Sequence, residues 1–219
     1  MHYLSRMPLN PRRRGTAKFL SAPQTMHAAI ESSFPPHDND DNPRTLWRLE
    51  RIGDKVTLWV VSDRKPSFEP IAEQAGWPNS GHPTWETRDY TLLLNRLMTG
   101  QRYQFRLTAN PVLSRRNEKN KQQRIPLVKE DQQIRWLLDR APRLGFSAGD
   151  DTQPTFMVTK SQQYSFKHEN SSGVSLLKCQ FDGVLTVTDP TLLYDALTKG
   201  VGKGKAYGLG LLTLAPYRG

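Results

Sequence analysis

The sequence predicts an α+β fold built from two similar halves, on three observations. Apolar runs with strand character recur along the chain, and stretches with helical spacing separate them. The order of these elements over residues 1–98 returns over 99–219, although no residue-level repeat accompanies it. The length of 219 residues agrees, since a domain usually holds about 100–150 residues.

In the first half, Tyr3 to Leu9 is an apolar strand. A helix over 22–33 follows, with Ser21 as its cap, Pro23 in its first turn, and Met26, Ala29 and Ile30 on one face. Residues 46–52 and 55–61 are rich in Trp, Leu, Ile and Val and break at Gly53-Asp54, the pattern of a hairpin. A short helix over 69–75 and a strand from Arg88 to Leu94 complete β-α-β-β-α-β. In the second half, Tyr103 to Leu107 alternates strictly and the strand ends at Asn110-Pro111. A polar, basic loop spans 114–126, and a helix over 128–141 turns Ile134, Leu137 and Leu138 inward. Strands over 155–166 and 174–188 flank a polar turn, Asp189-Pro190 starts a helix running to Lys199, and Leu209 to Leu214 closes the set. This element order predicts two tandem ferredoxin-like (RRM-like) domains, 1–98 and 99–219.

Composition narrows the function classes. The chain is 36% hydrophobic and 24% charged, ordinary for a globular protein. No apolar stretch approaches the ~18 residues that span a bilayer, and the Arg-rich start lacks a signal-peptide core, so the expected location is cytoplasmic. Cys179 is the only cysteine, which excludes an internal disulfide and a Cys-based zinc site.

Charge is the most informative quantity. Lys and Arg number 31 against 21 Asp and Glu, a net +10. Residues 1–30 carry Arg6, Arg12, Arg13, Arg14 and Lys18 with no acid, and residues 115–143 carry nine basic and four acidic side chains. Those two segments hold the whole excess, a localisation that points to a polyanion and above all to nucleic acid.

Two local features bear on chemistry. From Gly200 to Gly210, five glycines (Gly200, Gly202, Gly204, Gly208 and Gly210) surround Lys203 and Lys205. Such a run lets backbone N–H groups and lysines approach a phosphate closely. It follows a helix and precedes a strand, the reverse of a dinucleotide fingerprint, and it lacks the Gly-Lys-Ser/Thr of a nucleotide-binding P-loop. Among five histidines, His27 sits on the first helix beside the basic segment, placed to exchange a proton near neutral pH. His2 is terminal, His82 lies in a Pro/Gly loop and His168 in a polar turn beside Lys167. The run His37-Asp-Asn-Asp-Asp41 offers metal-binding atoms in a setting more typical of a solvated loop. No zinc spacing, nucleophilic triad or paired-acid nuclease pattern emerges, so the expectation is no metal and no cofactor. A metal-independent nuclease would act on RNA, whose 2′-hydroxyl is an internal nucleophile.

Several segments together resemble the CasE family, the CRISPR RNA-processing endoribonucleases of type I-E Cascade complexes. They are Tyr3-Leu-Ser, Met26-His27 with Phe34-Pro35, Phe105-Arg-Leu-Thr-Ala-Asn-Pro111, and Arg124-Ile-Pro-Leu-Val-Lys-Glu130 leading into Gln133-Ile-Arg-Trp-Leu137. Phe181-Asp-Gly-Val-Leu185 and the segment from Gly200 to Pro216 follow in order, so the resemblance spans nearly the whole chain. It implies cleavage of precursor CRISPR RNA at the base of the repeat hairpin and retention of the product within a Cascade-type ribonucleoprotein. It matches His27 to the family's catalytic histidine. Gln24 stands where the family often has a tyrosine, and can hydrogen-bond but not titrate as a phenol. The stem-binding set implied is Arg115, Arg116, Lys119, Lys121, Arg124, Lys129 and Arg135, with Lys160 and Lys167 reaching toward the scissile phosphate. The alternative is a non-catalytic RNA-hairpin-binding subunit of the same kind of complex.

Overall fold

The computed structural model describes residues 1–35, 45–77, 84–116, 120–168 and 171–217, with the side chains of 122, 165–168 and 171–175 left aside. The chain divides into two compact units. One is Met1–Arg96 with Lys205–Gly208, and the other is Leu97–Gly204 with Leu209–Gly219.

The first unit contains β1 (Tyr3–Leu9), α1 (Arg14–Ser21), α2 (Pro23–Glu31), β2 (Leu46–Ile52), β3 (Lys55–Ser62), α3 (Glu69–Ala75), β4 (Glu86–Asp89) and α4 (Thr91–Leu94). Its sheet runs β2-β3-β1-β4, every neighbouring pair antiparallel, which is the ferredoxin-like order. Alternation sets the faces: Ser5, Met7 and Leu9 are buried on β1 while Arg6 and Pro8 point out. Met7, Leu9, Val56, Leu58 and Val60 pack with Phe19 of α1, Met26 and Ile30 of α2 and Ile71 of α3. The Met26–Ile30 spacing of one helical turn fixes which side of α2 faces this core, and Pro23 opens the helix where no N–H is needed.

The second unit contains β5 (Arg102–Ala109), β6 (Val112–Arg116), β7 (Gln122–Pro126), α5 (Glu130–Leu138), β8 (Phe146–Ser147), β9 (Phe156–His168), β10 (Ser171–Val187), α6 (Pro190–Lys199) and β11 (Leu212–Pro216). Its main sheet orders β11-β5-β10, with β9 along most of the far edge of β10 and β8 at that edge's end. Taking β5, β9, β10 and β11 as the four framework strands gives the same ferredoxin-like order again. Phe105, Phe156, Phe181, Trp136 and Leu137 form the core beneath α5, with Trp136 and Phe181 stacked at 6.0 Å. Asp189 caps α6 by accepting the N–H groups of Thr191 (2.8 Å) and Leu192 (3.0 Å).

Four expectations are corrected. Ser21 does not cap the catalytic-candidate helix: it ends α1, its Oγ turning back to the Lys18 carbonyl at 3.1 Å, and Ala22 stands at the cap. The helix α1, which the sequence reading does not include, arises because Thr16 and Phe19, about one turn apart, bury one side of an otherwise basic segment. The strand expected to Leu94 stops at Asp89, whose Oδ1 accepts the Thr91 N–H at 2.9 Å and turns the chain into α4. The loop expected over 114–126 contains most of a two-stranded ribbon, β6 against β7, in register from Val112↔Pro126 to Arg116↔Gln122. On α5, Gln133, Trp136 and Leu137 are the buried residues, and Ile134 and Leu138 are only partly covered.

Candidate functional site

Helix α2 presents Gln24, His27 and Glu31 at successive turns, so the three share one side of the helix. Met26 and Ile30, fully buried, hold that side in a fixed direction. The His27 side chain is 36% exposed, yet its Nδ1 is sealed from solvent and makes no hydrogen bond. The nearest carboxylate oxygen to that nitrogen is Glu31 Oε1 at 3.8 Å. The other ring nitrogen, Nε2, is therefore the one available to a substrate. Gln24 is exposed at the start of the same helix.

The glycine-rich segment supplies the second wall. All five of its glycines have positive φ, as a chain without Cβ atoms allows. After the second unit's Gly204, the chain makes a 3₁₀ turn over Lys205–Tyr207 that packs against α2 and β2. Gly208 closes the turn by donating its N–H to the Lys205 carbonyl at 3.0 Å. A side chain there is forbidden twice over: φ is +75°, and a Cβ would lie 2.5 Å from the Trp47 ring. Backbone geometry thus places Lys205 and Tyr207 beside the helix of His27. Lys203, exposed, belongs to the second unit, so the two lysines of the loop are divided between units.

The remaining basic candidates fall into distinct settings. Arg115, Arg116, Lys121 and Arg124 are exposed on the β6–β7 ribbon, where Arg116 Nη1 donates to Asn120 Oδ1 at 2.9 Å. Lys129 is exposed at the N-cap of α5. Arg135 is exposed on α5 but paired with Asp151 at 2.6 Å. Lys160 is exposed on β9, opposite Gln180. Lys119, His82 and the run from His37 to Asp41 lie outside the described residues, as do the side chains of Lys167 and His168. Among the described residues, no three His, Cys, Asp or Glu side chains gather as a metal site would need.

Glu31 and Tyr207 are the candidates that residue-by-residue reading passed over. The Glu31 spacing from His27, one helical turn, is visible in the sequence. The approach of Tyr207 to α2 depends on the path of the glycine segment and has no local signal.

Comparison with known proteins places the whole chain in a family. The family model described as "CRISPR associated protein" matches residues 2–216. The CRISPR-associated endoribonuclease Cse3 of Thermus thermophilus is 30% identical over 98% of this chain and 100% of its own length. The CRISPR system Cascade subunit CasE of Escherichia coli is 38% identical over 55% of this chain and 61% of its own. A solved structure of Thermus thermophilus Cse3, bound to an RNA representing a pre-cleavage complex, superposes with a TM-score of 0.78 at 28% identity, covering 98% of this chain and 99% of that one. With near full-length matches in sequence and in fold, the chain belongs to this family of CRISPR-associated proteins.

Proposed function

We propose that this protein is a metal-independent endoribonuclease that binds the CRISPR repeat hairpin, cuts precursor CRISPR RNA at the base of the stem, and stays on the product as a Cascade-type subunit in the cytoplasm. The observation that carries the proposal is the solvent-facing edge of His27, with Lys205 and Tyr207 on the turn packed against its helix. The full-length relative named as an endoribonuclease supports it.

The chemistry follows from what RNA brings. Its 2′-hydroxyl attacks the adjacent phosphorus and gives up a proton, the phosphorus–O5′ bond breaks, and O5′ gains a proton. The products are a 2′,3′-cyclic phosphate and a free 5′-hydroxyl. His27 Nε2 exchanges a proton at one or both oxygens, and Lys205 offers positive charge where the phosphoryl oxygens become more negative. Gln24 holds a substrate oxygen by hydrogen bonding without transferring a proton. The stem rests on the cations of the β6–β7 ribbon, which meet phosphates and groove shape more than base edges.

The test is single-turnover cleavage of the repeat hairpin in EDTA, beside an RNA with a 2′-deoxy sugar at the cut site. The expected result is cleavage of the all-ribose RNA alone, lowered roughly 10²–10⁴-fold by His27→Ala with hairpin affinity retained. Loss of activity in EDTA overturns the metal-free mechanism. Tight binding with no cleavage by the unaltered protein establishes the non-catalytic subunit instead.

A further inference from the structure

The five cations of residues 1–30 divide into two groups once their partners are seen. Arg6 is committed to Glu86, Nη2 to Oε1 at 2.9 Å. Arg13 turns its guanidinium onto the carbonyls of Ala72 and Gly76, at 3.4 and 3.3 Å, and so serves the C-terminal end of α3. Arg12, Arg14 and Lys18 are exposed, and among the described residues no acidic side chain pairs with any of them. Three cations held together without counter-charge repel one another, and an anionic partner relieves that repulsion.

Their setting on α1 selects the partner's shape. Thr16 and Phe19 bury one side of the helix. The opposite side carries Arg14, Ala17, Lys18 and Ser21, all exposed. Arg14 and Lys18 are one turn apart, about 6 Å along the axis, with the small side chains of Ala17 and Ser21 beside them. A ridge of two long cations over a low floor, preceded by Arg12, fits a narrow string of negative charges rather than a broad surface. The ridge is also rigidly mounted. A Cβ at Gly15 would lie 2.3 Å from the Gln74 carbonyl oxygen, which shows how tightly α1 sits on α3. Only Ala22 separates α1 from the first residue of α2, and the two helices pack together.

We infer that Arg12, Arg14 and Lys18 form a binding track for the sugar–phosphate backbone of the single-stranded RNA that adjoins the hairpin at the cut site. This rests on the cleavage reading above, which puts the scissile phosphate at His27. A strand lying on α1 runs through the Ala22 elbow to Gln24 and, one turn further, to His27. The stem has its own cations on the β6–β7 ribbon, so the α1 track serves the unpaired flank, and it reads charge without reading sequence.

The experiment uses the full chain and RNAs made uncleavable by a 2′-deoxy sugar at the cut site. One is the hairpin alone; two others carry a single-stranded extension on one side or the other. The unaltered protein is expected to bind one extended RNA about tenfold more tightly than the hairpin. The triple variant Arg12→Ala, Arg14→Ala, Lys18→Ala is expected to lose that gain and to bind the hairpin alone unchanged. Its salt dependence on the extended RNA should flatten by about 2 in log–log slope, at about 0.7 per single-strand phosphate contact. The charge-keeping variant Arg12→Lys, Arg14→Lys should restore the gain. Equal binding of all three RNAs by the unaltered protein overturns the inference, as does an equal loss by the triple variant on hairpin and extended RNAs. Both outcomes leave the cleavage reading standing if the all-ribose hairpin is still bound and cut. Failure of the protein to bind or cut that hairpin overturns the cleavage reading itself.

Discussion

At the scale of single residues, the arrangement around His27 is defined by what one of its nitrogens lacks. Nδ1 is closed to solvent, has no hydrogen bond, and faces Glu31 Oε1 across 3.8 Å. In the proposed reaction, a small rotation of the ring would bring an Nδ1–H onto that carboxylate and orient Nε2 toward the substrate. A charge-assisted hydrogen bond exceeds a neutral one by about 1.5 kcal/mol, which corresponds to about tenfold in rate. Glu31→Gln, which keeps the shape and removes the charge, is therefore expected to slow single-turnover cleavage about tenfold without changing hairpin affinity. An unaltered rate would show that Glu31 takes no part.

At the scale of elements, the glycine segment acts through one crowded contact. Gly208→Ala drives a Cβ into the Trp47 ring at 2.5 Å and strains a residue at φ +75°. The expected cost is about 1–3 kcal/mol, with the Lys205–Tyr207 turn displaced from α2. Cleavage should fall while hairpin affinity, which the proposed function assigns to the β6–β7 ribbon, is largely kept; thermal denaturation and hairpin binding measured alongside the cleavage assay check this. What the sequence disclosed depended on where each element finds its stabilisation. The hairpin of β2 and β3 and the helix α3 were legible because their apolar residues repeat with strand or helix period and meet the core. The ribbon of β6 and β7 satisfies its backbone within itself and leaves Leu113 and Ile125 exposed, so it produces no such pattern. Helix α1 was hidden among arginines because its burial rests chiefly on Thr16 and Phe19. The five positive-φ glycines were foreseen as a class, whereas the path that sets Lys205 beside α2 is a tertiary fact with no local trace.

At the scale of the whole molecule, stability should carry a pH signature from the second unit. Asp182 is partly buried, which alone raises its pKa, but hydrogen bonds from Arg106, Thr159 and Gln180 and the charge of Arg106 outweigh burial and hold it below the usual carboxylate range. Arg106 Nε lies 2.5 Å from Oδ1, and Thr159 and Gln180 each reach Oδ2 at 2.6 Å. A carboxyl depressed in the folded state stabilises it above the unfolded pKa of about 3.9, and that contribution disappears as pH falls through the folded value. Asp182→Asn is expected to cost about 2 kcal/mol at neutral pH. Urea denaturation of both proteins from pH 7 down to pH 3 should show the difference narrowing below about pH 4. A difference constant across that range would mean that packing, not charge, holds the network.

The placement of Lys205–Gly208 in the first unit also has a consequence for biosynthesis. Helix α2 leaves the ribosome early, but the turn that packs against it is translated far later. At about 5–20 residues per second, the delay between His27 and Lys205 is roughly 10–35 s. Throughout that interval the nascent chain carries its histidine without the adjoining lysine. The proposed cleavage site is thus completed late in the making of the protein, after the β6–β7 ribbon has already been translated.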